Sequence, residues 1–489
     1  MSETIKATEE PIKTHKFNDG SVLSVILKVA VPIVLLMMFN SAYAFVDSLM
    51  SSNFVYYGSI DGVTKLTGGT SIGLIFPMMG ILNSFQVMHS AGGGLAYTKN
   101  LAQKDYEGAR KTFGQTFSLS WTLGVIIIIF TAIIGIPYIL TASGNWNGNT
   151  WGEFTKPMVM DGYEYMVILT FAFIPMTLQG SYMRILRAEG KGFVAAIIPG
   201  LTMPINIGFD YLFMKVLKIG LIGAGLATLI ATTSGALMMM SYVFYIKRKE
   251  TINISYKFND LRIKKEYLII VLIFGLGSFY RRIFDGINTV IVSNYVGNIF
   301  LDDPSRIPIW TGSWTMMTRS INMGTMMALG FGQSMAMLIS FYNNSNQKEK
   351  VKNTVKTGSI CIFIVQLIAI VILLLAAKPL FHAYGITEFE GYGGELGKSY
   401  IMILLFSIPM SLQIIPALFY SGMKDPKSTL FHTLIFNASN IVIVTIFFLI
   451  EHSTKKPLML FTGIFVGGMI GLMGTGVFFN KRYRQLLSI

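Results

Sequence analysis

Ile174-Pro-Met-Thr-Leu-Gln179 recurs as Ile408-Pro-Met-Ser-Leu-Gln413. Each copy follows a tyrosine, Tyr165 or Tyr400. Each also precedes a glycine/lysine turn, Arg187-Ala-Glu-Gly190-Lys191 in one case and Gly422-Met-Lys424-Asp425 in the other. Chance readily supplies one Ile-Pro-Met, but not the whole register, so the chain reads as a tandem repeat. Both copies lie inside apolar runs long enough to cross a bilayer as helices, and such runs continue from residue 22 almost to the end. Twelve spans are expected, near 22–50, 70–98, 110–141, 161–187, 193–217, 219–247, 265–297, 311–343, 353–384, 397–422, 427–450 and 457–480. Six spans per copy give both halves the same orientation, so the repeat is parallel. The expected fold is therefore an all-α polytopic membrane protein, with twelve transmembrane helices in two six-helix pseudo-symmetric parallel repeats around a central cleft.

Composition excludes an ordinary soluble protein: 52% of the residues are hydrophobic, 13% are charged, and the mean hydropathy is +0.57. The short alternating segments of a membrane β-barrel are absent. The polar start of the chain has no apolar core of a signal peptide, and a single cysteine, Cys361, excludes an intramolecular disulfide. The net charge of +14 invites a nucleic-acid reading, but its placement does not. Most basic residues fall in alternate connections and both tails, including Lys99, Lys104, Arg110, Lys191, Lys247, Arg248, Lys249, Lys264, Lys348, Lys424, Lys427, Lys481 and Arg482. By the positive-inside rule both termini are cytoplasmic, in a plasma membrane. The expected divisions are a cytoplasmic tail (1–21), a six-helix half (22–247), a cytoplasmic linker (248–264), a second half (265–480) and a cytoplasmic tail (481–489).

Chemistry concentrates in the first half. Asn206 and Asp210 sit four residues apart in Pro199-Gly-Leu-Thr-Met-Pro204-Ile-Asn206-Ile-Gly-Phe-Asp210, and so share one helix face. A carboxylate at membrane depth is expensive and marks a functional site unless it lies at the surface or serves helix packing. Its expected partner is Asp47, in span one, where Pro32 offers a hinge. Gly92-Gly-Gly94 and Gly220-Leu-Ile-Gly-Ala-Gly225-Leu-Ala-Thr228 suit close helix packing, and Thr228 offers a hydroxyl. In span seven, Arg281 and Arg282 lie four and three residues before Asp285, which reads as neutralisation within one helix. Arg319, just after Trp310 and Trp314, reads as an interfacial anchor snorkelling outward. Asn40, Tyr43, Gln86, Tyr280, Arg281 and Asp285 are the candidates for lining a substrate cavity. Scattered histidines and the lack of a nucleophile elbow argue against an enzyme.

These residues resemble the multidrug and toxic compound extrusion (MATE) family, in particular its prokaryotic DinF-type branch. The likeness rests on Pro32 with Asp47, Asn206 with Asp210, and Thr228 within Gly-Ala-Gly-Leu-Ala-Thr. It extends to Leu101-Ala-Gln-Lys-Asp105-Tyr-Glu-Gly-Ala109-Arg110, Arg187-Ala-Glu-Gly190 and Gly330-Phe-Gly-Gln333. The chain departs from the pattern at Tyr342-Asn343-Asn344-Ser345. It also lacks, near Met410 or Ser411, the second acid that the NorM-type branch pairs with a carboxylate near Asp285.

The resemblance implies a cation site at Asp47, Asn206, Asp210 and Thr228. It implies a secondary transporter that exports amphipathic organic cations by alternating access, in antiport with H+ or Na+. No cofactor or resident metal is expected beyond that coupling ion. The expected partners are small amphipathic substrates and membrane lipids, without nucleic acid, and the expected state is a monomer. The alternative reading is a flippase for lipids or lipid-linked oligosaccharides, with Arg184, Arg281, Arg282 and Arg319 receiving phosphate.

Overall fold

In lipid, every backbone donor and acceptor must be satisfied inside its own segment, so long apolar runs become helices. A computed structural model of the chain describes residues 21–60, 64–142, 155–249, 254, 256–298, 307–383, 386, 389–454 and 457–487. The tail before residue 21, part of the linker, the last two residues and the side chain of Asn40 lie outside the described residues.

The first half comprises α1 (Val22–Phe54), α2 (Gly68–Ala102), α3 (Tyr106–Ala142), α4 (Thr155–Ala188), α5 (Gly192–Asp210) and α6 (Leu221–Lys249). The second comprises α7 (Lys265–Asn298), α8 (Ile307–Asn344), α9 (Lys348–Leu375) with the short α10 (Ala377–Ala383), α11 (Glu395–Leu412) with α12 (Ile414–Gly422), α13 (Pro426–Thr454) and α14 (Leu458–Leu487). Eleven stretches among the described residues are long and apolar enough to cross a membrane. The 35-residue α2, packed against α4 and α7, makes the twelfth span. Rows of exposed apolar side chains, such as Val125, Ile126, Ile129 and Ile133 on α3, suit contact with lipid tails.

Packing repeats with the sequence. In the first half α2 meets α3 and α4, α4 meets α6, α5 meets α6, and α1 meets α5. In the second, α8 meets α9 and α11, α11 meets α14, α13 meets α14, and α7 meets α13. The halves join through α1 against α8 and α2 against α7, two contacts that a pseudo-two-fold exchange interconverts. At the second seam, Gly92 faces the Val271 carbonyl and Gly275 faces the Met88 carbonyl; a Cβ at either glycine would stand 2.2 Å from that oxygen. Val25, Ile26 and Ala30 of α1 share one buried cluster with α8 and α12, which holds the first seam.

Several local features were not readable from composition. A two-stranded antiparallel ladder, β1 (Tyr56–Ile60) with β2 (Thr64–Thr67), joins α1 to α2, and Tyr57 donates to Asp161 Oδ2 (2.9 Å). The α9 span breaks at Ala376, and the span bearing the second Ile-Pro-Met breaks at Gln413. The first Ile-Pro-Met instead lies within an unbroken α4. The linker is not free either: its 3-10 turn Phe258–Leu261 docks on α3. There Arg110 Nη1 meets Asp260 Oδ2 (2.8 Å), and the Lys264 amide donates to Gln115 Oε1 (2.9 Å).

Asp425 starts α13 just before Pro426, the favoured order at a helix N-terminus. Its Oδ1 accepts from the Ser428 amide (3.1 Å), and its Oδ2 from Arg482 Nη2 (2.7 Å) and Ser428 Oγ (2.7 Å). Burial pushes this carboxyl up, but hydrogen bonds from Ser428 and Arg482 outweigh it and leave it below the ordinary carboxylate range. A depressed carboxylate stabilises the fold above its unfolded value and loses that contribution as pH falls through the folded one. Asp425→Ala is therefore expected to lower the melting temperature at pH 7, with loss of the cap alone costing about 1 kcal/mol. The gap to wild type should narrow on acidification below about pH 4; a gap unchanged down to pH 3 would disprove the assignment.

Candidate functional site

Asp47 on α1, Asn206 and Asp210 on α5 and Thr228 on α6 converge within the first half. Asp210 is fully buried, and Asn206 and Thr228 are buried beside it. Just after Asp210 the backbone leaves α-geometry for a π-helical turn, Tyr211–Val216, closed by the Leu217 amide on the Leu212 carbonyl (2.8 Å). Such wide turns concentrate at functional sites because they redirect a side chain without ending the helix.

The polar contacts form a chain. Tyr43 of α1 shares a hydrogen bond with Thr228 Oγ1 (3.1 Å). One orientation of Asn206 points its amide nitrogen at Thr228 Oγ1 (3.3 Å). The reverse orientation lets Nδ2 donate to Asp210 Oδ2 (2.7 Å) while Oδ1 accepts from the Thr228 amide (3.0 Å). We adopt the second, because it gives both ends of the amide a partner of the right kind. Asp47 Oδ1 and Asp210 Oδ1 are then buried without any hydrogen-bond partner. The two carboxylates lie within electrostatic reach of each other. Two orphaned acceptors on mutually repelling groups form an arrangement that a proton or a small cation would complete.

Two residues join this site that the sequence had not placed there. Arg319 of α8 acts on Asp47 across the seam between the halves, so the reading of it as an outward anchor is corrected. The packing of α8 along α1 brings the guanidinium into the field of that carboxylate. Tyr165 of α4, quoted above only as a marker of the repeat, is buried in the field of Asp47, Asp210 and Arg319.

Pro32 is buried inside a continuous α1. Gln86 and Tyr280 are half-buried on α2 and α7, and Tyr280 packs edge-on to Phe279 (6.0 Å between ring centres). Arg281 Nη1 pairs with Asp285 Oδ2 at 3.1 Å, as its spacing suggested. Below that pair, Asn288 Nδ2 donates to Asn440 Oδ1 (2.9 Å), and Asn440 Nδ2 to the Ile464 carbonyl (3.0 Å). By the register of the repeat Asn440 answers to Asn206, while Val444 stands where the first half has Asp210. Arg281 also lines a cavity of about 40 Å3 between the halves, together with Arg184, Arg187 and Gln333.

A family model, MatE, matches residues 312–446. The YoeA protein of Bacillus subtilis, described as a probable multidrug resistance protein, is 21% identical over 95% of this chain and 94% of its own. MepA of Staphylococcus haemolyticus, a multidrug export protein, is 23% identical over 74% of each chain. An uncharacterized MG447 homolog of Mycoplasmoides gallisepticum is 24% identical over 55% of this chain, a match that spans 56% of that relative's length. A MATE crystal structure in complex with MaL6 superposes with a TM-score of 0.82 over 98% of this chain and all of its own, at 19% identity. A Pyrococcus furiosus transporter of the MOP superfamily, described as having a binding pocket of reverse polarity, superposes with a TM-score of 0.80. The chain is similar to MATE transporters along nearly all of its length. With eleven stretches apolar enough to cross a membrane and this likeness in fold, it is a multi-pass helical membrane protein. The likeness to solved structures carries the twelve-helix fold.

Proposed function

We propose that this transporter exports small amphipathic organic cations by alternating access, in antiport with protons, and that Asp47 and Asp210 carry the coupling. The supporting observation is the pair of buried carboxylate oxygens without partners, on Asp47 and Asp210. The names of two relatives, MepA and YoeA, support drugs as the substrate class.

The donor set favours a proton over sodium. Sodium wants several oxygen lone pairs converging on one point. Asn206 turns its NH2 toward Asp210, and its oxygen is engaged by the Thr228 amide. A proton asks only for one carboxylate oxygen. Its arrival removes the repulsion between Asp47 and Asp210 and loosens the attraction of Asp47 for Arg319 on the other half. Neutralisation within the first half thereby alters the contact between halves, as rocking of the halves requires. A cationic substrate relying on the same charges loses its partner and leaves. We further place both termini and the 248–264 linker on the cytoplasmic side, by the charge bias of the connections.

The test is efflux of ethidium from proteoliposomes under separately imposed proton and sodium gradients. A proton gradient alone is expected to drive uphill movement of the dye. Movement driven by sodium alone would replace the coupling ion, and movement under neither would remove the antiport reading.

A further inference from the structure

The cavity between the halves is basic, and nothing in the proposed export cycle uses it. It is walled by α2 and α4 of the first half and by α7, α8 and α12 of the second. Three guanidiniums enter it. Arg187 is 2% exposed and Arg281 7%; Arg187 Nε, Arg187 Nη2 and Arg281 Nε are buried with no hydrogen-bond partner. The remaining contacts are weak or shared: Arg187 Nη1 donates to Gln333 Oε1 (3.3 Å), Arg184 Nε to Ser90 Oγ (3.2 Å), and Arg281 to Asp285. The glycine at position 94 makes room for this arrangement, since a Cβ there would stand 2.7 Å from the Arg184 Cβ. Arg184 lies within electrostatic reach of both Arg187 and Arg281.

Against three positive charges, the ion pair recorded among the described residues uses one carboxylate, Asp285. Glu189, two residues after Arg187, accepts from Tyr97 (2.5 Å). Positive potential continues past the cavity. In the turn after α12, burial and the charge of Lys99 hold the Lys424 ammonium below its usual range. Buried guanidiniums that repel one another without counter-ions are costly, and the natural remedy is an oxyanion taken up by several forks at once.

We propose that this cavity is a binding site for a phosphate group, clasped between Arg184 and Arg187 of one half and Arg281 of the other, with Gln333 beside it. About 40 Å3 is room for one compact head group and not for a drug-sized molecule, given that a single water needs roughly 10–15 Å3 of such space. A dianionic phosphate offsets positive charge that Asp285, shared between Arg281 and Arg282, leaves over. Because its ligands come from both halves, the bound group favours the arrangement in which this seam is closed. The phosphate is either free in solution or carried by a lipid such as phosphatidic acid, and the recognition chemistry is shared.

The experiment measures thermal unfolding of the purified full-length transporter in two series. One titrates inorganic phosphate at constant ionic strength against chloride. The other compares nanodiscs of phosphatidylcholine with and without phosphatidic acid. Wild type is expected to show a saturable rise in melting temperature in at least one series, and Arg187→Gln an apparent affinity at least tenfold weaker. Gln333→Glu supplies a carboxylate within the cavity. It is expected to melt at or above wild type without phosphate and to lose the response, which guards against a variant that merely folds poorly. A response to inorganic phosphate assigns the site to a free anion. A response to phosphatidic acid alone assigns it to a lipid head group. No response in either series, or equal responses in wild type and both variants, overturns the proposal.

Discussion

Asp210→Asn is expected to reduce proton-driven export to the leak rate, a loss of at least ~100-fold or about 2.7 kcal/mol of barrier, while the protein stays folded. The substituted amide has nearly the shape of the carboxylate but never ionises, so it cannot accept and return a proton. Folding should not suffer. The wild-type group is a fully buried acid with one oxygen unpartnered, and a buried charge held that way costs stability. The melting temperature should therefore match or exceed that of wild type. Asp47→Asn should abolish coupling as well, because it removes both the second carboxylate and the charge that Arg319 addresses from the other half. Groups acting as one unit give non-additive losses, so the double variant should transport no worse than either single one. Retention of more than half the wild-type rate by Asp210→Asn under a proton gradient would remove Asp210 from the coupling machinery.

What could be read from the chain was whatever depends on local pattern. Apolar runs placed all twelve spans, and the two Ile-Pro-Met segments revealed the repeat that the helix packing reproduces. Spacing of four predicted the Arg281–Asp285 contact, because i and i+4 meet on any helix. Asp47, Asn206 and Asp210 were legible from spacing and depth, and the structure sets Asn206 and Asp210 beside Thr228, with Asp47 in electrostatic reach. Features that depend on backbone register or on distant helices stayed hidden. The π-turn after Asp210 and the breaks at Ala376 and Gln413 are choices among hydrogen bonds that composition does not encode. Pro175 and Pro409 occupy equivalent places, yet only the second span breaks nearby. Arg319 looked like an anchor because its partner lies on α1, far away in sequence. Arg187 looked like part of a turn because the rest of its cavity is supplied by four other helices.

Gly92 and Gly275 make the second large effect, because each meets backbone and not a side chain that could swing aside. A Cβ at Gly92 would lie 2.2 Å from the Val271 carbonyl oxygen, and one at Gly275 the same distance from that of Met88. Relief is possible only by moving α2 and α7 apart, which unpacks the seam. Gly92→Ala and Gly275→Ala should each destabilise by at least the roughly 1–3 kcal/mol typical of overpacking. Gly80→Ala on α2 and Gly286→Ala on α7, where a Cβ would meet nothing within 4 Å, are the controls and should be near neutral. The two contacts are reciprocal, so helices already forced apart by one methyl admit the second at little further cost. The double variant should then lose less than the sum of the single losses. The same seam must open if the halves rock. Thiol labelling at Ser278→Cys, in the arginine-lined cavity, reports that opening once Cys361 has been replaced by serine. Faster labelling in Gly275→Ala than in Gly286→Ala is expected, since the methyl penalises only the closed arrangement. Equal labelling in the two would mean that the α2–α7 seam stays shut through the cycle, and that movement between the halves occurs at α1 and α8 instead.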